Sequence, residues 1–245
     1  FSITCTRENP EKEKQKEILL DISKNFILKN EPKRAIASLL ELEKEEPKNS
    51  EIKKLLGLAY YKSEILNLAE ETFLRSYEFN TKDLEICLYI AQLYADIARW
   101  NEVILWANKA LDNILFPNPQ VAYNLIGWAY YNLSDYQNAL KSYKQSITND
   151  GNYVLAYNNM GKVYFDLKRY KKAGETYVKL LSMCSSKDKC PNFYLSEFYY
   201  RLALCFKFTE NREKALKYLK KALDIAPKSK YGLESQKLVK ILGNE

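Results

Sequence analysis

The residues of this chain that could carry out chemistry are few and scattered. Its 245 residues include no histidine, the commonest general base and a common zinc ligand. No glycine-rich loop of the phosphate-binding kind is found. Charged neighbours such as Glu70 with Glu71, or Asp166 with Lys162, are routine on helix surfaces and are not arranged around a substrate. We therefore expect a protein that is not an enzyme and that needs no cofactor and no metal.

Two of the five cysteines, Cys184 and Cys190, lie close together in the sequence. A disulfide between them would close a short loop and would fit an oxidising compartment. The alternative is a pair of free thiols in a reducing cytoplasm. A zinc site is not expected, because two thiolates without a histidine or another nearby cysteine cannot complete a tetrahedral shell. The sequence leaves the disulfide and the free thiols open.

The elements that must position these residues come from an internal repeat. Gly127 and Gly161 are 34 residues apart, and Tyr143 and Tyr177 have the same separation. Within each unit, apolar residues recur at steps of three and four residues, the spacing of an amphipathic helix. Extending this register in both directions predicts six units, which start near residues 16, 50, 84, 120, 154 and 196.

The repeat resembles the tetratricopeptide repeat, in which W-x2-L-G-x2-Y, A-x3-F and a final proline recur over about 34 residues. Tyrosines stand where the family prefers tryptophan, at Tyr123, Tyr157 and Tyr199, and the final proline is kept at Pro47 and Pro227. The resemblance covers residues 16–229, nearly the whole chain. It implies an all-α fold, a right-handed superhelical solenoid of antiparallel helix pairs.

The resemblance also sets expectations for the ends of the array and for its turns. Residues 230–245 are expected to form a capping helix with a polar outer face, which such an array needs. Residues 1–15 are expected to form a flexible tether. Short polar side chains are expected to cap the second helix of a pair, at Asn101, Asp135 and Asn211.

A binding surface is implied by the same resemblance. In tetratricopeptide arrays the first helices line a concave groove, and the second, fifth, ninth and twelfth positions of each unit face it. Aromatic rings there are expected to anchor a peptide or protein partner, and paired asparagines to clamp a peptide backbone. The alternative is that these side chains pack between neighbouring first helices. The candidate residues are Tyr61, Leu88, Gln92, Asn124, Trp128, Tyr131, Asn158, Lys162, Phe165 and Tyr200.

Near the N-terminus, Cys5 resembles the acylated first residue of a bacterial lipoprotein. Together with six predicted repeats, this layout resembles the membrane-anchored pilotins of pilus secretins and a lipoprotein of the outer-membrane β-barrel assembly machinery. The implied location is the bacterial cell envelope, lipid-anchored and outside the cytoplasm, with a role in envelope or secretion assembly. The alternative is a cytoplasmic protein.

The net charge of +7 is concentrated at the C-terminal end. Residues 186–245 carry 13 basic and 7 acidic residues. A second candidate function is therefore an electrostatic adaptor that docks its C-terminal unit on an anionic membrane, a nucleic acid or an acidic partner. Nucleic acid is not the expected partner, because only 7 of the 38 basic residues are arginine, which provides the forked contacts to phosphates and bases. A non-catalytic scaffold for protein partners is the favoured function.

Overall fold

The computed structural model describes residues 10–184 and 190–244, and every regular element in that part of the chain is an α-helix. The expected all-α class is confirmed. The helices are α1 (Pro10–Leu28), α2 (Pro32–Glu45), α3 (Ser50–Lys62), α4 (Leu66–Phe79), α5 (Glu85–Asp96), α6 (Trp100–Ala110), α7 (Pro119–Asn132), α8 (Tyr136–Asn149), α9 (Val154–Asp166), α10 (Tyr170–Met183), α11 (Asn192–Phe208), α12 (Arg212–Ile225) and α13 (Lys230–Asn244).

The chain divides into two compact units between Phe116 and Pro117. Unit 1 contains the pairs α1–α2, α3–α4 and α5–α6, and unit 2 contains α7–α8, α9–α10, α11–α12 and then α13. The sequence predicted a single array over residues 16–229. The division falls where Pro117 and Pro119 follow a short α6, and proline cannot continue a helix that precedes it.

The first helix extends further toward the N-terminus than predicted. α1 begins at Pro10, so residues 10–15 are helical rather than part of a tether. Lys16 Nζ donates to Glu46 Oε1 at 2.7 Å, and Lys12 Nζ lies 3.3 Å from Glu45 Oε1, so ion pairs hold these early turns against the end of α2. Residues 1–9, which include the lipidation candidate Cys5, lie outside the described residues.

At the other end, α13 covers the last helix pair. Leu242 is buried against Ala215 and Leu219 of α12. Arg212 Nε also donates to the Leu242 carbonyl oxygen at 2.7 Å. α13 therefore occupies the position expected of a capping helix for unit 2.

The two helices of a pair approach closely where a glycine meets an aromatic ring. A Cβ atom on Gly127 would lie 2.6 Å from the ring of Tyr143, a distance that real side chains do not adopt. The absence of a side chain at this position therefore lets α7 and α8 pack together. The same arrangement pairs Gly57 with Phe73 and Gly161 with Tyr177.

The turn inside each helix pair contains one residue in the left-handed conformation. Its φ lies between 56° and 62° at Asn30, Glu64, Ala98, Ser134, Lys168 and Glu210. The next N–H bonds to a carbonyl five residues back, as Asp135 N does to Tyr130 O at 2.9 Å, which closes the first helix in a Schellman arrangement.

Side-chain caps follow two of these turns. Asp135 Oδ1 accepts from Asn138 N and Asn211 Oδ1 accepts from Lys214 N, both at 3.1 Å, so these predicted caps are confirmed. The cap predicted at Asn101 is wrong. The helix α6 already includes Trp100 and Asn101, and its N-cap is Arg99, whose side chain makes no capping bond.

Candidate functional site

Unit 2 carries most of the candidate groove residues, on its first helices α7, α9 and α11. Contacts between side chains connect these helices in order. Tyr131 Oη on α7 donates to Asp166 Oδ2 on α9 at 2.6 Å. Lys162 Nζ on α9 lies 3.8 Å from Glu197 Oε1 on α11. We call the half-buried residues Trp128, Tyr131, Lys162, Phe165, Tyr200 and Arg201 the first-helix surface.

The aromatic residues of the first-helix surface are partly engaged by the chain itself. The Phe165 ring lies edge-on to Tyr170, with centroids 5.2 Å apart, and to Phe208, at 5.7 Å. The Tyr200 ring lies 5.6 Å from that of Tyr231 on α13. These rings keep part of their surface open, because none of them is fully buried. Packing between helices and exposure to a partner therefore coexist at these positions.

Three of the candidate groove residues lie in the interior. Leu88 and Asn124 are 8% exposed and Asn158 is 6% exposed. Asn124 Oδ1 accepts from Asn159 Nδ2 at 3.1 Å, which ties α7 to α9. The expectation that paired asparagines face a groove and clamp a peptide is therefore wrong. All three residues occupy the fifth position of their repeats, and this position is buried in the packing of α5, α7 and α9.

A charged cluster joins α9 to α11 within the first-helix surface. Glu197 is only 7% exposed, and its Oε1 accepts from Arg201 Nε at 2.7 Å while Lys162 approaches the same atom. Burial and the neighbouring guanidinium of Arg201 lower the pKa of Lys162. The carboxylate of Asp166, which accepts from Tyr131, opposes this lowering, so the cluster balances two cations with two carboxylates. Sequence reasoning missed Arg201, because it occupies the sixth position of its unit, outside the positions assigned to the groove.

The first-helix residues of unit 1 have a different character. Tyr61 donates to Asp96, and Gln92 Nε2 donates to the same carboxylate at 3.0 Å. Lys54 is paired at 2.8 Å with Asp83 and lies near Glu51 and Glu85, so carboxylates outnumber cations there. The candidates Tyr61 and Gln92 therefore take part in contacts between α3 and α5.

The hydrogen bond of Tyr61 with Asp96 has a counterpart in unit 2, where Tyr131 pairs with Asp166. In the following repeat the same two positions hold Phe165 and Phe208, whose rings pack together. The polar pair has thus been replaced by an apolar pair. A contact between the twelfth position of one repeat and the thirteenth of the next is retained in all three cases.

The structure shows the state of four of the five cysteines. A disulfide joins Cys184 and Cys190, with their Cα atoms 5.3 Å apart, and residues 185–189 between them lie outside the described part. Cys87 and Cys205 are buried free thiols, and burial raises the pKa of each to about 12. In the described residues, no group of three or more cysteine, aspartate or glutamate side chains is placed to hold a metal ion.

The basic C-terminal residues make contacts of their own. Lys214 Nζ lies 5.4 Å from the centroid of the Phe206 ring, and Lys221 Nζ lies 5.4 Å from that of Tyr199. Part of this positive charge is therefore used in cation–π contacts inside unit 2. None of the helices that the structure describes has the combination of length and apolar character that a membrane span requires.

Comparison with known families agrees with the repeat architecture. Residues 153–228 match the family described as tetratricopeptide repeat, and residues 127–168 match a second model described as TPR repeat. Residues 127–228 therefore contain tetratricopeptide repeats, as the resemblance to the family indicated. No curated protein sequence matches the chain.

Solved structures show the same fold over most of the chain. PilW, described as a widely conserved type IV pilus biogenesis factor, is 17% identical with a TM-score of 0.79, covering 89% of this chain and 97% of its own. PilF of Pseudomonas aeruginosa is 13% identical with a TM-score of 0.76, covering 91% and 97%. YrrB, described as a TPR protein with an unusual peptide-binding site, is 18% identical with a TM-score of 0.58, covering 81% and 97%.

Proposed function

We propose that this chain is a non-catalytic scaffold that holds a segment of a protein partner on the first-helix surface of unit 2. The observation that carries the proposal is that half-buried aromatic rings, Trp128, Tyr131 and Phe165, lie on first helices that the charged cluster of Lys162, Glu197 and Arg201 helps to connect. Tryptophan, tyrosine and arginine are the residue types that most often dominate binding energy. A partner segment with an apolar side chain to pack on the rings and polar groups to meet the charged cluster matches this chemistry.

Some of the solved structures support a role in protein assembly. YrrB is described as having a peptide-binding site, and PilW as a pilus biogenesis factor. On this basis the partner belongs to an assembly of the cell envelope, and lipidation of Cys5 anchors the chain to a membrane outside the cytoplasm. The disulfide between Cys184 and Cys190 is of the kind that persists in an oxidising compartment.

Crosslinking and recovery of the chain from its native cells test the binding surface. Trp128→Ala combined with Lys162→Ala should reduce recovery of the partner at least tenfold, because an aromatic anchor and a charge are both lost. Phe79→Ala is the matched control, since this ring is 38% exposed on the second helix α4 of unit 1. Unchanged recovery by a double variant with wild-type helicity would contradict the proposal.

Salt dependence separates this function from the electrostatic adaptor. Contacts to an anionic membrane or nucleic acid weaken steeply with rising salt, whereas anchoring by aromatic rings does not. We expect affinity for the isolated partner to change less than tenfold between low and physiological salt. A steeper loss, abolished by replacing Lys217 and Lys220 with glutamine, would favour the adaptor instead.

Membrane fractionation tests the proposed anchor. Cys5→Ser should move the chain from the membrane fraction to the soluble fraction, because the thiol that would carry the lipid is removed. Partner binding by the purified Cys5→Ser protein should be unchanged, which separates the location from the binding function. Continued membrane association of the variant would refute lipidation at this residue.

A further inference from the structure

A second cleft in unit 2 lies between the second helices α8 and α10, with α9 beneath it. Its volume is about 630 Å³, within the range of ligand-binding pockets. Apolar and aromatic side chains of α8 and α9 line it, and α10 contributes polar and charged ones. None of the lining residues belongs to the first-helix surface. The residues that matter are Ile147, Met160 and Tyr164 within the cleft and Lys144, Lys172 and Lys179 around it.

The charges around the cleft are unbalanced. Three lysines line it with one carboxylate, Glu175. Neither these lysines nor Glu175 form an ion pair with any other residue that the structure describes, unlike Lys162 on the neighbouring surface. An unpaired ammonium group can gain a charge-assisted hydrogen bond from an incoming carboxylate. The cleft is therefore complementary to a ligand that combines apolar and acidic groups.

The spacing of the lysines indicates the shape of that ligand. Lys172 and Lys179 are seven residues apart on α10, which places them on one face of the helix, two turns and about 10.5 Å apart. Acidic residues seven positions apart on a second helix have the same spacing. Apolar residues three and four positions after the first acid lie between the two acids on the same face.

We propose that this cleft docks an acidic amphipathic helix of a partner protein. Carboxylates seven residues apart on that helix meet Lys172 and Lys179, while the apolar residues between them cover Met160 and Tyr164. This is helix-in-groove recognition, in which an apolar stripe provides contact area and flanking charges fix the register. The surface is separate from the one in the proposed function, so each can fail without the other.

The methionines of the chain provide a direct reporter. The sequence contains two, Met160 in the cleft and Met183 outside its lining. The probe is a synthetic 14-residue helix with glutamates at its fourth and eleventh residues, leucines at its seventh and eighth, and alanine and glutamine elsewhere. With methyl-labelled methionine, the Met160 resonance should shift saturably on addition of the probe, and the Met183 resonance should stay in place.

Charge-reversed variants then test the contacts. Lys172→Glu with Lys179→Glu should weaken binding at least tenfold, and a probe with lysines in place of its glutamates should bind this variant in preference to the wild type. The matched control is Lys141→Glu with Lys171→Glu, because these exposed lysines lie on α8 and α10 outside the cleft. The control should bind within twofold of the wild type.

Three results would overturn the proposal. The first is a Met160 resonance that does not respond to the probe. The second is equal binding by the wild type and the Lys172→Glu, Lys179→Glu variant. The third is a Met160 shift with decanoate but not with the helix, which would assign the cleft to a small amphiphile. Trp128→Ala should leave probe binding unchanged, which keeps this test separate from that of the first-helix surface.

Discussion

Glu197 is the residue on which the charge balance of the first-helix surface depends. It is nearly buried and is the acceptor for Arg201, while Lys162 approaches the same oxygen. Removing one member of a buried ion pair leaves the others desolvated without compensation. Glu197 is therefore the one carboxylate that contacts both cations of the cluster in the described residues.

Replacing this carboxylate should destabilise the protein. Glu197→Gln is expected to lower the free energy of unfolding by about 1–3 kcal/mol, because two half-buried cations lose the carboxylate that they contact. Urea denaturation at neutral pH measures the change, and adding Lys162→Met should recover part of the loss. The control Glu234→Gln removes an exposed pair with Lys237 and should cost less than about 0.5 kcal/mol. An effect of that small size at Glu197 would disprove the argument.

Tyr143 and Tyr177 place phenols in the core. Neither hydroxyl has a hydrogen-bond partner in the part of the chain that the structure describes, and burial raises the pKa of both above the usual value. Above the unfolded pKa of about 10, the unfolded chain releases the phenol proton while the folded chain keeps it, so the free energy of unfolding decreases as the pH rises. Stability should therefore fall above about pH 10.

Tyr143→Phe tests this account. The variant should match or exceed wild-type stability at neutral pH, by up to about 1 kcal/mol, because an unpaired buried hydroxyl is removed. Between about pH 10 and pH 11, just above the pKa of an unfolded tyrosine, the variant should also lose less stability than the wild type. Denaturant titrations at the two pH values measure both effects, with the exposed Tyr194→Phe as a control. Identical alkaline losses for Tyr143→Phe and the wild type would argue against the buried phenol as the cause.

The candidate site could be predicted in part from single residues. The ninth and twelfth positions of the unit 2 repeats are half-buried at Trp128 and Lys162, and their contact with a partner stays a prediction. The fifth position is buried in the packing, as Asn124 and Asn158 show. The repeat pattern assigned the fifth position to the groove, but a single sequence does not reveal how closely one first helix approaches the next. Arg201 was missed because it occupies the sixth position of its repeat, outside the positions that the pattern assigns to the groove.

Among the helices, the glycine–aromatic contact determines how closely the members of a pair approach. Gly127 meets Tyr143, and the equivalent residues Gly57 and Phe73 meet in unit 1. This contact followed from the sequence, because the repeat fixes the glycine 16 residues before the aromatic ring in each case. Helix starts were less predictable. Ion pairs of Lys12 and Lys16 extend α1, and their partners are distant in sequence.

Adding one methyl group at this contact should separate the helices. Gly127→Ala is expected to destabilise the protein by about 1–3 kcal/mol, because the new Cβ overlaps the Tyr143 ring in a close-packed core. Thermal or urea unfolding measures the loss. Gly151→Ala is the matched control, since its nearest neighbour would be 4.0 Å from the added atom. Equal stability of the two variants would show that the helices can adjust without cost.

For the molecule as a whole, the repeats form two units that each contain their own core. The clusters around Tyr143, Tyr177 and Leu219 draw their residues from unit 2, and the cluster around Leu39 draws its residues from unit 1. The sequence predicted the helix pairs but not this grouping. The spacing of the repeats indicates which neighbouring helix pairs are in contact. In the sequence, only Pro117 and Pro119 mark the boundary between the two compact units.

A fragment of residues 117–245 should therefore fold by itself. We expect helical circular dichroism and a cooperative urea transition, because α13 and the disulfide are retained with the three core clusters. A fragment of residues 137–245 is the comparison, since it lacks α7 and leaves the Tyr143 ring uncovered. Loss of cooperative unfolding in both fragments would mean that unit 2 depends on the rest of the chain.

The turn residues in the left-handed conformation are sites where a substitution could stabilise the protein. Ordinary side chains such as Glu64, Ala98 and Ser134 adopt a conformation that costs roughly 1 kcal/mol more for them than for glycine. None of these three belongs to the first-helix surface or lines the cleft between α8 and α10. Glycine substitutions at these turns should therefore raise the thermal stability of the protein without changing either proposed binding surface.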